Sequence, residues 1–276
     1  MKLRTLLSLA LLISLVGFWS CGPAENQVTV DLTTDSEFPT RGDSVSLNIT
    51  VSSELENLKQ VVVEVSSVDT NGNALLFVKE TRDAGDLSFS GEYSFTVGEG
   101  TAFGETINVI ITSTDAIDGS FETVNTDITA VAYMSVFRAD AEVGHQWGPL
   151  NGGYNLVDAV QAYRDAPANT KDMVDQSEQQ KVLSNVFQSN AEANTTFIDL
   201  GENYNIAELH TVSVEDVFSE RSASNVITVA AGTKFIAKLR GGSDYAVVHI
   251  TSIDPDYEPT TTENKGHYVF DIYKLQ

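Results

Sequence analysis

Between residues 28 and 133 the sequence repeats one pattern, a short run of alternating apolar and polar residues followed by a turn. The runs are VTVDLTT, SVSLNITVS, LKQVVVEVSSV, ALLFVKET, GEYSFTV, INVIITSTD and FETVNTDITAVAY. A period of two sends successive side chains to opposite faces of a strand. Val45, Leu47, Ile49 and Val51 therefore share one face, and Tyr93, Phe95 and Val97 share another. A sheet with one apolar face must bury it against a second layer, so seven such strands predict a two-sheet sandwich. Asn71-Gly72, in the turn DTNGN, predicts a type I′ hairpin, whose two central residues need positive φ.

Seven strands with turns every eight to twelve residues resemble the immunoglobulin-like or fibronectin-like domains of bacterial surface proteins. The core cystine and strand-C tryptophan of antibody domains are absent. The resemblance implies a spacer or a protein-binding module. Arg41-Gly42-Asp43-Ser44 spells an integrin-binding tetrapeptide. The simpler expectation is a tight turn before the second strand, with Gly42 supplying the backbone freedom.

From residue 134 the texture changes. The tract QAYRDAPANTKDMVDQSEQQK is polar and poorly periodic, and predicts loop with a short element at DMVD. VLSNVFQSNAEA predicts a short helix and TFIDL a strand. SVEDVFSER predicts a helix capped by Ser213, with Asp216 three residues on. Phe235, Ala237 and Leu239 alternate with Lys234, Lys238 and Arg240, the pattern of a half-buried strand. YAVVHITSI is apolar on both faces and predicts a more central strand. In the closing HYVFDIYKL, Tyr268, Phe270 and Ile272 share a face. The expected fold class is all-β: an Ig-like β-sandwich over 28–133, then a second β-rich, sandwich-like domain over 134–276 with one or two short helices.

The strand, glycine turn, Tyr-Ala-Val-x-x-Ile strand, polar loop and aromatic final strand over roughly 225–276 resemble the C-terminal modules of Bacteroidetes outer-membrane lipoproteins, among them the HmuY-type heme-binding lipoproteins. That resemblance implies an all-β module and, in its heme-binding members, two axial histidines. The amino terminus points to the same compartment. Lys2 and Arg4 precede an uncharged apolar stretch from Leu6 to Phe18, and then comes Cys21, the only cysteine in the chain. The stretch is signal-peptide length, short of the roughly 20 residues of a membrane span. It resembles a bacterial lipoprotein signal, with residues 1–20 as signal peptide, Cys21 as the lipid attachment point and 21–27 as a lipidated linker. The expected location is the outer membrane, through a lipid anchor, on the periplasmic face or the cell surface.

Sixteen Lys and Arg against 39 Asp and Glu give a net charge of −23. Such a surface repels phosphate backbones, so nucleic acid is not an expected partner. The expected partners are an envelope protein, a glycan or a small ligand.

The chain has four histidines, His145, His210, His249 and His267, of which His210 and His267 are the candidate axial donors for heme iron, with Tyr154 or Trp147 to line a slot. Asp254, Asp256 and Glu258 in DPDYE alternate, and Asp115 and Asp118 flank a turn; a carboxylate-rich loop is the start of a calcium site, which needs six to eight oxygens. Heme and calcium are thus the cofactors considered. Gly-x-Ser-x-Gly, His-Glu-x-x-His and phosphate-loop motifs are absent, and the expectation is a protein that is not an enzyme. Trp147 and Tyr154, in GHQWGPLNGGYNL, are candidates either for a carbohydrate-stacking loop or for plugs of the core. The expected function is a non-catalytic binding or structural module of the cell envelope, in which the first domain presents the second. The alternative is capture of heme or another small ligand for an uptake system.

Overall fold

The computed structural model describes residues 26–117, 119–255, 257–258 and 263–276. Cys21, Asp118 and Asp256 lie outside the described residues, as does the side chain of Glu258.

The first seven strands are β1 (Val28–Thr34), β2 (Ser44–Ser53), β3 (Leu58–Val68), β4 (Ala74–Asp83), β5 (Ser88–Thr96), β6 (Thr106–Asp115) and β7 (Ser120–Thr129). They form two antiparallel sheets, β1-β2-β5 and β4-β3-β6-β7. The residues expected on the inner faces are inside: Val45, Leu47, Ile49 and Val51 meet Tyr93, Phe95, Val97, Val61, Val63, Val65, Val109 and Ile111 in one core. The hairpin between β3 and β4 departs from the expected type. Only Gly72 has positive φ (80°); Asn71 does not. Gly72 N donates to Asp69 O, and Asp69 Oδ1 accepts from the backbone N–H groups of Asn71 and Asn73. The Asp69 carboxylate holds the turn in a type I conformation, closed by glycine, and so displaces the type I′ alternative.

The second sandwich begins with β8 (Met134–Gly144), followed by β9 (Gly153–Asn155), β10 (Val160–Ala162), β11 (Met173–Asp175), β12 (Val186–Gln188) and β13 (Thr196–Asp199). Helix α1 (Thr211–Ser219) precedes β14 (Val226–Thr228), β15 (Lys234–Lys238), β16 (Tyr245–Asp254), β17 (Tyr257–Glu258), β18 (Glu263–Asn264) and β19 (His267–Leu275). One sheet runs β13-β15-β16-β19-β8 and the other β10-β9-β11-β12-β14; β17 and β18 pair only with each other.

The five-strand sheet containing β16 is covered on both faces. One face, with Phe235, Ala237, Val248, Tyr268, Phe270 and Ile272, packs on the shorter sheet through Tyr154, Met173 and Phe187. The opposite face, with Ile236, Tyr245 and Val247, packs on Val214 and Phe218 of α1. This double cover explains why Phe235, Ile236 and Ala237 are all buried, where the alternation with lysines predicts a half-exposed strand. Burial of Phe235 or Ile236 stabilises the fold by about 1.5–3 kcal/mol each.

Two local expectations are overturned. VLSNVFQSNAEA is not helical; Val186–Gln188 forms β12, because Phe187 is needed against Tyr268 in the core. Helix α1 starts three residues earlier than expected. Its N-cap is His210, and Ser213 occupies the third helical position, returning its hydroxyl to the His210 N–H.

Residues 130–133 connect the two sandwiches. Ala130, Val131 and Ala132 are buried, and hydrogen bonds tie them to both sandwiches. Val131 N donates to Pro39 O, Gly104 N to Ala130 O, Ala132 N to Thr211 Oγ1 and Thr211 N to Ala132 O. This is a bonded joint rather than a flexible linker.

Candidate functional site

The loop that carries Trp147 is rigid for a reason visible residue by residue. Gly144, Gly148 and Gly152 are glycines because there is no room for a side chain. A Cβ on Gly144 would lie 2.4 Å from Leu150 Cβ, one on Gly148 would lie 2.1 Å from Asn264 O, and one on Gly152 would lie 2.2 Å from Gln146 Cα. The chain between them is pinned by hydrogen bonds. His145 N donates to Gly266 O at 3.0 Å, Trp147 N to His145 Nδ1 at 3.1 Å, and Gln146 N to Asp175 Oδ2 at 3.1 Å.

Asp175 is the hub beneath this loop. It is fully buried, and its carboxylate also accepts from Ser177 N, Ser177 Oγ and Tyr268 Oη. Burial and the Asp175 charge push the Tyr268 hydroxyl well above its ordinary range, so that phenol stays protonated and donates. Tyr268 Oη in turn accepts from Asn185 N. A second buried carboxylate, Asp172, accepts from Leu156 N and Thr195 Oγ1 and pairs with Arg240, whose Nη2 lies 3.3 Å away. Arg240 adopts a positive φ of 53° and also donates to Asn155 Oδ1. Every acceptor in these two carboxylate networks has a donor, which marks them as braces for the loops.

On this braced frame Trp147 is 40% exposed, and the Arg164 guanidinium lies over its ring at 4.4 Å. Tyr163, beside Arg164, is 64% exposed. Lys171 Nζ donates to Arg164 O at 2.6 Å and fixes that neighbouring loop. The result is a preorganised Trp147–Arg164 pair, with Tyr163 exposed at the next position in the chain. Tyr154 does not join it. It is 2% exposed and packs edge-on against Phe270 at 5.0 Å, inside the core. Of the aromatic pair suggested by the sequence, one residue plugs the core and the other faces out.

The candidate heme ligands are not brought together. His210 bridges to Tyr133, at the start of β8, whereas His267 pairs with Gly144, at its end. The length of β8 separates them, roughly 30 Å at about 3.3 Å per residue. Axial donors must both lie about 2 Å from one iron, so this pair cannot clamp a heme. His210 is instead a helix cap, and His249 pairs with Lys234 across β15 and β16.

Asp254 lies opposite His267 at the start of the polar loop. Among the described residues no cluster of three or more His, Cys, Asp or Glu is arranged to hold a metal ion. Asp115 serves a local purpose: its carboxylate accepts from Asn26 Nδ2, Ile117 N and Gly119 N, closing the β6–β7 turn. The Arg41-Gly42-Asp43 tripeptide is likewise engaged within its own domain. Arg41 donates to Thr101 O and stacks on Phe103, and Asp43 accepts from Thr40 N, with Gly42 at φ 85°. Among the described residues no helix is long and apolar enough to cross a membrane.

No protein-family model matches the sequence. No curated protein matches it either. Among solved structures, the sporulation control protein Spo0M of Bacillus subtilis is 12% identical with a TM-score of 0.29, over 37% of this chain and 49% of that one. A Niemann-Pick type C2 protein from the Japanese carpenter ant is 12% identical with a TM-score of 0.27, over 41% of this chain and 98% of that one. The superoxide reductase neelaredoxin of Ignicoccus hospitalis is 10% identical with a TM-score of 0.25, over 37% and 79%. The chain spans about half the length of the Spo0M chain that it matches. Likenesses this weak carry no argument about function.

Proposed function

We propose that this chain is a non-catalytic binding module of the bacterial cell envelope. In this reading Cys21 carries a lipid that anchors the protein to the outer membrane. The Ig-like sandwich is a spacer, and the second sandwich docks a partner protein through Trp147, Tyr163 and Arg164. The observation that carries the docking surface is Trp147 itself. A tryptophan is held 40% exposed, with an arginine over its ring, by a loop whose glycines leave it no slack. Trp, Tyr and Arg are the residues that dominate protein interfaces, and a rigid anchor loses little entropy on docking. A glycan would need a ring face on which to stack, and Arg164 already lies over one. That favours a protein over a polysaccharide as partner.

The test uses intact cells that produce the full chain. A chemical crosslinker should capture one dominant envelope protein with the wild type. Trp147→Ala and Tyr163→Ala should each lower its recovery at least about tenfold, the scale of an interface hot spot, with unchanged circular dichroism. Equal recovery with both variants would refute the docking surface. Binding of a purified polysaccharide that Trp147→Ala abolishes would replace the protein partner with a glycan.

A further inference from the structure

His210 lies where three parts of the molecule meet. Its ring stacks on Phe38 of the first sandwich at 4.6 Å between centroids, and meets Tyr133 of the connection edge-on at 5.5 Å. Tyr133 in turn donates its hydroxyl to Phe38 O. On the side of the second sandwich, His210 Nδ1 accepts from Ser213 N and caps helix α1. The next residue, Thr211, exchanges hydrogen bonds with Ala132 of the connection. The ring is 8% exposed.

These contacts require a neutral imidazole. A protonated Nδ1 is a donor, and it would face the Ser213 N–H, which is also a donor. The added charge would lie at the positive end of the helix. It would also be buried among the rings of Phe38 and Tyr133. Asp216 on α1 opposes this by favouring the cation, and the other ionisable side chains nearest in sequence on the packed elements, Glu37, Glu105 and Glu208, are acidic too. Burial outweighs them and holds the His210 pKa below the ordinary histidine value.

We propose that His210 is a pH-sensitive latch between the two sandwiches, closed while its ring is neutral and released when the ring is charged. A histidine with a depressed folded-state pKa contributes stability that is complete above the unfolded value of about 6.5. That stability is lost as the pH falls toward the folded value. Release abolishes the cap, the Phe38 stack and the registration of Thr211 on Ala132 together, because one ring makes or adjoins all three. The two cores do not depend on the ring and remain folded. Their relative orientation becomes free, and with it the direction in which the second sandwich is presented.

Hydrogen exchange on the full chain tests this, corrected for the intrinsic pH dependence of amide exchange. Between pH 7 and pH 5 the amides of 130–134 and 211–214 should lose protection progressively below about 6.5, by at most about tenfold per unit. Those of β3 and β16 should keep theirs. His210→Asn, which retains a capping side chain but does not titrate, should hold the joint at one level across that range. Loss of protection everywhere at once would mean ordinary acid unfolding and would overturn the proposal. So would a wild-type joint that is indifferent to pH, or an asparagine variant that titrates like the wild type. If the variant does not fold, the wild-type contrast between joint and core decides by itself.

Discussion

The second sandwich depends on a few side chains that join distant parts of the chain. Arg240 is one. It reaches from a tight turn to Asp172, which has no exposed surface, and to Asn155. Arg240→Met should lower stability by about 2–3 kcal/mol, less than the loss of a fully buried pair because the arginine side chain is itself about one-third exposed. The denaturant midpoint should fall with an unchanged slope; an unaltered midpoint would show the pair to be idle. Neither member was legible in the sequence. Sixty-eight positions separate them, and one carboxylate among 39 acidic residues carries no signal of burial. Trp147 could be singled out, because a tryptophan between glycines is conspicuous. Arg164 could not, because its place over the ring depends on the packing of a second loop.

At the scale of elements, legibility followed the length of the periodic run. Strands of nine or more residues, such as β3 and β19, declared themselves through alternation sustained over several turns of the pleat. The three-residue strands β9 to β12 are too short for a period and take their conformation from tertiary contacts, which is why β12 looked like helix. The onset of α1 is hidden in the sequence because His210 is an uncommon cap, held there by the rings it meets at the joint. The Trp147 loop offers a direct element-scale prediction. In Gly148→Ala the new methyl would overlap a backbone carbonyl, that of Asn264, which cannot swing aside as a side chain would. The expected destabilisation is about 1–3 kcal/mol, together with a change in Trp147 fluorescence and loss of partner capture. A variant with wild-type stability and fluorescence would show the loop to be looser than its glycines imply.

At the scale of the molecule, a net charge of −23 surrounds two cores without a disulfide between them. Self-repulsion should make the fold weaker at low salt, so raising ionic strength from about 20 to 200 mM should raise the melting temperature by a few degrees. A fall would indicate that specific ion pairs outweigh the net field. The bonded connection at 130–133 fixes the direction of the second sandwich on the first. The central claim is that this direction serves a partner that docks on Trp147, Tyr163 and Arg164. The most direct measurement is photo-crosslinking on intact cells from an aromatic crosslinking residue placed at position 163, with position 76, exposed on β4 of the first sandwich, as the control. The account predicts one discrete adduct from 163 that disappears when Trp147→Ala is added, and no adduct from 76. The same adducts from both positions, or none from either, would contradict it.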